Sequence, residues 1–422
     1  MTRPDVAWER RSAGNARDRP SRRRAVITLA VAALALLSSQ TAFAQGRTTV
    51  GFWAGEAVPG TDWNSPATYW NRRDTRAYTP RLWSVLRRNR IPLYLNLRYR
   101  RDFGPIPPGM PRRGDGLAII RKANRLGVPI WGWILIPYTD GYWAWEGAAT
   151  EQFDAARALV RWTRMEGVRL RGLVLDFESP VLMPFEATAA IVSGGDTGFP
   201  PLFQQTIDPA GQCSALHEYA RIPLWARRHD IKLAATPSPW ALDDLKDDRL
   251  ALQDAAEFVV PNGPWHSLFF QAYRSVFAYY SGRDPGSGIV SSYLRSARRA
   301  FGNAGQVSLG SSGRGKYRRF SNLVHDVRLA ATLGARQVPI YSLERTLRAY
   351  GGPKSLIRLA WAARHPFSGK RAAKAAASTP RAKVVRAAIQ RSDAATATAT
   401  PTITGNRGIS RPANSWSNGC GG

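Results

Sequence analysis

The chain has 422 residues, with 60 Lys and Arg against 30 Asp and Glu, a formal charge of +30, 15 tryptophans and two cysteines. That length holds one large domain with additions. Two cysteines exclude a disulfide scaffold, and histidines without HExxH or similar spacing give no support for a metal site.

The charge is unevenly placed. Residues 1–44 hold 8 basic and 3 acidic residues and residues 353–422 hold 12 and 1, which leaves 40 against 26 between them. No zinc-finger, homeodomain or RNP pattern occurs, so the charge points to anionic polymers or acidic glycans rather than nucleic acid. A soluble basic surface with no partner is the plainer reading.

The first stretch reads as an address. Ser21-Arg22-Arg23-Arg24 precedes an apolar run from Ala25 to Leu37, and Ala42-Phe43-Ala44 offers a small-residue cleavage site before Gln45. This order is that of a secretory signal peptide over residues 1–44. The arginines fit a twin-arginine signal loosely, because Ala25-Val26-Ile27 departs from it. The mature protein is expected in the periplasm, the cell envelope or the medium.

Residues 45–352 alternate short apolar runs with amphipathic segments. Strands are expected at Thr49–Trp53, Pro92–Leu97, Pro129–Ile136, Gly172–Phe177, Ile231–Thr236, Ser267–Tyr273, Gln306–Gly310 and Gln337–Ser342. Helices are expected at Arg81–Arg90, Glu151–Glu166, Ser214–His229, Ser292–Phe301 and Asn322–Leu333. Alternation argues a parallel α/β sheet, and eight units in this length match a (β/α)8 TIM barrel. An open doubly wound sheet is the alternative, but no GxGxxG follows the first strand.

In a barrel all strand ends empty onto one face. The fourth run ends abruptly in Asp176-Phe177-Glu178-Ser179-Pro180, where Pro180 stops the ladder. Asp176 and Glu178 are two residues apart and share a strand face. They are the catalytic candidates; the bland alternative is that one ends the strand and the other pairs with an arginine. Around them the strand ends supply Trp53 and Glu56, then Trp133, Tyr138, Asp140 and Trp143, then Trp240, Gln271, Tyr273, Tyr341 and Glu344. Flat rings with a polar edge suit the CH face of a sugar, so these are read as substrate-binding. No phosphate-cradling loop accompanies them, and no cofactor is implied.

Gly172-Leu173-Val174-Leu175-Asp176-Phe177-Glu178 resembles the fourth-strand D-G-x-D-x-D-x-E signature of the chitinase family, glycoside hydrolase family 18. Gly172, Leu173, Asp176 and Glu178 match; Arg171 and Val174 stand where that family carries acids. Gln271-Ala272-Tyr273 is similar to the sixth-strand Gln-x-Tyr of some members, and family 25 muramidases also place Asp-x-Glu on this strand. The resemblance implies hydrolysis of a polysaccharide containing N-acetylhexosamine, with Glu178 as general acid and Asp176 its partner. Strand seven ends Gly310-Ser311-Ser312 without an acid, against the common retaining layout. Substrate-assisted hydrolysis needs one acid and a neighbour that orients the acetamide. Gln271 or Tyr273 could bond that group, and Glu56 or Glu344 is the second-ranked other carboxylate. A catalytically silent glycan-binding barrel is the other function class, allowed by Val174.

Residues 353–367 include a possible last helix from Lys354 to Ala363. Residues 368–422 are Ala-, Lys-, Arg- and Thr-rich and read as a disordered basic tail that could hold an anionic envelope. A Cys213–Cys420 bridge is permitted and left open.

Overall fold

The computed structural model describes residues 48–56, 73–105, 115–180, 208–245, 250–261, 263–280, 282–377 and 379–399. The expected signal peptide, its cleavage site and Cys420 lie outside the described residues. Cys213 is disulfide-bonded.

Eight short runs form the strands β1 Thr49–Ala54, β2 Leu93–Arg98, β3 Ile130–Leu135, β4 Gly172–Leu175, β5 Leu233–Ala235, β6 Ser267–Gln271, β7 Gly305–Gly310 and β8 Gln337–Tyr341. Each pairs in parallel with the next, and β1 pairs with β8 from Thr49↔Gln337 to Trp53↔Tyr341, closing a (β/α)8 barrel. Both faces of such strands are covered, which is why the runs are nearly continuous in apolar residues. Alternation still sorts the side chains. Trp53, Tyr94, Trp131, Trp133, Val174 and Phe269 fill the lumen. Phe52, Leu95, Ile134, Leu173 and Leu175 face the helices. Room for this aromatic lumen comes from missing side chains: a Cβ on Gly172 would come within 2.4 Å of the Trp131 ring.

The first helices are α1 Pro80–Asn89, α2 Asp115–Leu126, α3 Ala149–Met165 and α4 Pro209–Arg228. Thr79 caps α1 by accepting the Leu82 N–H at 3.2 Å, and Asp208 caps α4 by accepting the Gly211 N–H at 3.1 Å. Among the described residues between β5 and β6, the helices are the short α5 Ala241–Asp244 and α6 Ala251–Ala255. Next come α7 Arg274–Tyr280, α8 Gly288–Phe301, α9 Phe320–Thr332, α10 Leu343–Ala349 and α11 Lys354–Arg364. The last of these is the terminal helix expected from sequence.

The region expected as a disordered tail is instead helical as far as Ala399, in α12 Gly369–Ala376 and α13 Pro380–Ala399. α13 packs on α5, α6 and α8, beside the truncated helical layer of the fifth unit. Ala382, Val385 and Ile389 are buried there. Arg386 pairs with the fully buried Asp243 at 2.6 Å and lies over the Tyr293 ring at 4.0 Å, while Tyr293 donates to Asp243 at 3.0 Å. Few large apolar residues suffice because the helix docks on a built polar cluster.

Candidate active site

β4 stops at Leu175, and Phe177 retains one parallel bridge to Ala144, so the chain stays extended through the two acids. Asp176 is 2 % exposed and Glu178 partly exposed, the shallower of the two. Among the described residues, the donors that reach the pair from other strands are neutral. The Trp133 indole N–H donates to Asp176 Oδ2 at 3.0 Å. The Gln271 amide donates to Asp176 Oδ1 at 3.2 Å and to Glu178 Oε1 at 2.5 Å.

Burial, then the charge of Glu178 and the hydrogen bond to it, push the Asp176 carboxyl well above its usual range, against the pull of Trp133 and Gln271. Burial also raises Glu178, while the bonds from Gln271 and Asp176 lower it. Burial and mutual repulsion thus make the pair harder to ionise fully than either acid alone, so its titration belongs to the two carboxyls together. The sequence expectation of a proton held between two neighbouring acids agrees in direction with both carboxyls being raised.

Tyr273 stands at the end of β6, its hydroxyl raised by burial and by the charges of Asp176 and Glu178. Its ring stacks on Tyr341 at 6.1 Å, and Tyr341 meets Trp133 edge-on at 6.5 Å. A Cβ on Gly310 would come within 3.1 Å of the Tyr273 ring. The acid missing from β7 is thus matched by a ring lying over that strand's end. Behind it, Trp53 donates from its indole N–H to Ser308 Oγ at 2.9 Å. Ser308 in turn reaches the Pro339 carbonyl at 3.2 Å and the Tyr273 hydroxyl at 3.4 Å. Tyr138 and Trp143 pack against the lumen cluster from the loop after β3.

Four residues read as substrate-binding are placed otherwise. Glu56 is bound by Arg345 at 2.5 Å and Arg348 at 3.1 Å. Glu344 is 1 % exposed and accepts the Gly55 N–H at 2.8 Å and the Tyr78 hydroxyl at 3.0 Å. Burial and then the charge of Glu56 raise the Glu344 carboxyl to about 7. Asp140 turns to Arg100 at 3.5 Å. The Trp240 ring joins the core between sheet and helices instead of the lumen, with no hydrogen-bond partner for its indole N–H among the described residues.

Sequence reasoning also missed Arg73, Ser308 and Arg345. Arg73 donates to Asn96 at 2.9 Å and to Asp102 and Asp115 at 3.0 and 2.9 Å, fixing the ends of β1 and β2 through the Asn96 bond to Gly55. Ser308 had one signal, a polar residue at an inward position between Gln306 and Gly310. Among the described residues no group of three or more His, Cys, Asp or Glu is placed to hold a metal.

Comparison with known protein families found no match, and neither did comparison with curated proteins. Solved structures give distant likenesses. A family 5 xyloglucanase from Paenibacillus pabuli is 13% identical, with 82% of this chain and 99% of that chain covered and a TM-score of 0.43. The catalytic domain of a β-amylase from Paenibacillus polymyxa is 8% identical, with 75% and 97% covered and a TM-score of 0.43. A mandelate oxidase variant is 13% identical, with 80% and 78% covered and a TM-score of 0.32.

Proposed function

We propose that this protein is an exported glycoside hydrolase that cleaves a polysaccharide containing N-acetylhexosamine by acid catalysis at the β4 pair. One observation carries the reading: two adjacent strand-end carboxylates, both raised by burial, receive hydrogen bonds from neutral donors in a barrel mouth walled by aromatic rings. Glu178, the outer acid, delivers the pair's proton to the glycosidic oxygen as the bond from that oxygen to C1 breaks. With Tyr273 over the end of β7, the nucleophile is the substrate's own acetamide oxygen, which bonds to C1. Asp176, now ionised, stabilises the resulting cation, and the Tyr273 hydroxyl bonds the acetamide. Water then attacks C1, the acetamide is restored, and the water's proton returns to the pair. Export rests on the signal-like first 44 residues.

The test is release of reducing ends from chitin, peptidoglycan and polygalacturonate by wild type and by Glu178→Gln. Release from the first two, lost in the variant, supports the proposal. Val174 favours a second reading, because it packs in the lumen where family 18 carries an acid. Binding of these glycans without release by either protein would make the chain a silent glycan-binding barrel.

A further inference from the structure

Between Gly288 and Ala399 the sequence carries 21 Lys and Arg but three acids, Asp326, Glu344 and Asp393. All three acids are buried. Asp326 faces Arg274 at 3.2 Å and the Tyr317 hydroxyl at 2.8 Å, and Glu344 lies behind the β1 end. This stretch supplies α8, α9 and α11, the ring helices after β6, β7 and β8, with α12 and α13 packed beside them. α11 in turn packs on α1, which exposes Arg81, Arg87 and Arg88 and contains no acid. Four consecutive ring positions, half the circumference, thus expose cations and no carboxylate among the described residues of these helices.

Several surface arginines of this wall rest on neutral oxygens, which leaves their charge uncompensated. Arg295 donates to the Ala376 carbonyl at 2.7 Å, Arg328 to the His365 carbonyl at 2.8 Å and Arg364 to Asn89 Oδ1 at 3.3 Å. The other half differs: Arg121 pairs with Glu166 at 3.0 Å, Arg100 with Glu151 at 3.0 Å and Arg221 with Glu218 at 2.5 Å.

We propose that the α8–α9–α11–α1 wall, with α12 and α13, is a docking surface for a linear anionic polysaccharide. The charge alone would accept any polyanion. Two features select among them. The wall follows half of a convex barrel, so a flat bilayer meets it along one line, whereas a flexible chain can follow it. At its middle, Trp361 is 47% exposed, stacked on His365 at 4.4 Å and flanked by Arg328 at 5.6 Å. An exposed ring among guanidinium groups suits a pyranose CH face bearing a nearby carboxylate or sulfate. The surface lies on the side of the barrel and does not depend on the chemistry at the mouth.

The full chain is tested by affinity electrophoresis in polygalacturonate, with dextran as the neutral polymer. Wild type should be retarded by polygalacturonate and not by dextran, weakening at least about tenfold between roughly 50 and 300 mM salt. The quadruple variant Arg299→Gln, Lys374→Gln, Arg381→Gln, Lys383→Gln, at unchanged melting temperature, should bind at least about tenfold more weakly. Arg157→Gln with Arg221→Gln, on the opposite half, should bind as wild type does. Equal binding by the quadruple variant overturns the proposal. So does retention that salt leaves unchanged, or stronger binding to duplex DNA or to vesicles of anionic lipid than to polygalacturonate.

Discussion

Asp176 with Glu178, and Glu56 with Glu344, are two carboxylate pairs beside strand ends of one barrel, and they differ in whether a cation reaches the pair. The first receives hydrogen bonds from an indole and an amide, both neutral. In the second, Glu56 is neutralised by Arg345 and Arg348, while Glu344 is sealed behind Gly55 and Tyr78. Neutral donors orient a carboxylate without discharging it, so a like-charged neighbour forces a proton to stay. Cations discharge it and convert it into a strut. By that criterion Glu56 is a strut of the rim; Glu344 also meets neutral donors, but its partner acid is the arginine-bound Glu56, whereas Asp176 has the partly exposed Glu178.

Asp176→Asn probes the first pair. It removes one of the two coupled carboxyls, and activity should fall roughly 10²-fold or more. The pH–rate profile should then show a single carboxyl, that of Glu178. A profile unchanged in shape would remove Asp176 from the chemistry.

Asp243 extends the contrast to a fifth acid, paired with Arg386 from α13. Arg386→Ala leaves that buried carboxylate without its cation and should cost about 3–5 kcal/mol of stability, with activity per folded molecule unchanged. Ending the chain before Pro380 should cost at least as much, read as a fall in melting temperature.

Glu344 carries a pH signature. Its carboxyl is raised in the fold from 4.5 to about 7, so the folded state binds the proton more tightly than the unfolded chain does. That stability is present below the unfolded value and is lost as pH rises toward about 7, by ~3 kcal/mol in all. Glu344→Gln keeps an acceptor for Gly55 and Tyr78 and should flatten this part of the melting-temperature profile. A slope that survives the substitution would assign it to another group.

The smallest effect expected is at Ser308. Ser308→Ala takes the hydrogen-bond partner from Trp53 and frees the Tyr273 hydroxyl, a loss of about 1 kcal/mol or roughly fivefold in rate. The change should fall on kcat more than on KM, and Ser308→Thr should restore part of it.

The barrel was legible because each strand is a short apolar run between helix-ending turns, and all eight stand where those runs fall, within a few residues at their ends. Asp176 and Glu178 were legible because two acids closing an apolar run have few structural excuses. Their environment was not legible. Arg345 lies 289 residues from Glu56, and no local pattern announces that pairing. Trp240 sits after a strand end as expected, yet the chain enters α5 there and its ring turns outward into the helical layer. α13 was hidden by composition: its Ala-, Lys- and Arg-rich stretch looks unable to fold alone, and it folds because Asp243 and Tyr293 of the barrel receive Arg386.

The central claim is that the β4 pair performs acid catalysis while the β1–β8 pair supports the fold. Its most direct test measures kcat on a soluble N-acetylhexosamine oligosaccharide, with melting temperature, for Glu178→Gln and Glu56→Gln side by side. Glu178→Gln should lose roughly 10²–10⁴-fold in kcat at a melting temperature close to that of wild type. Glu56→Gln should keep kcat within about threefold while losing ~2 kcal/mol of stability with its two arginine bonds weakened. Near-full activity in Glu178→Gln, with activity lost in a well-folded Glu56→Gln, would contradict the account and move the chemistry to the β1–β8 rim.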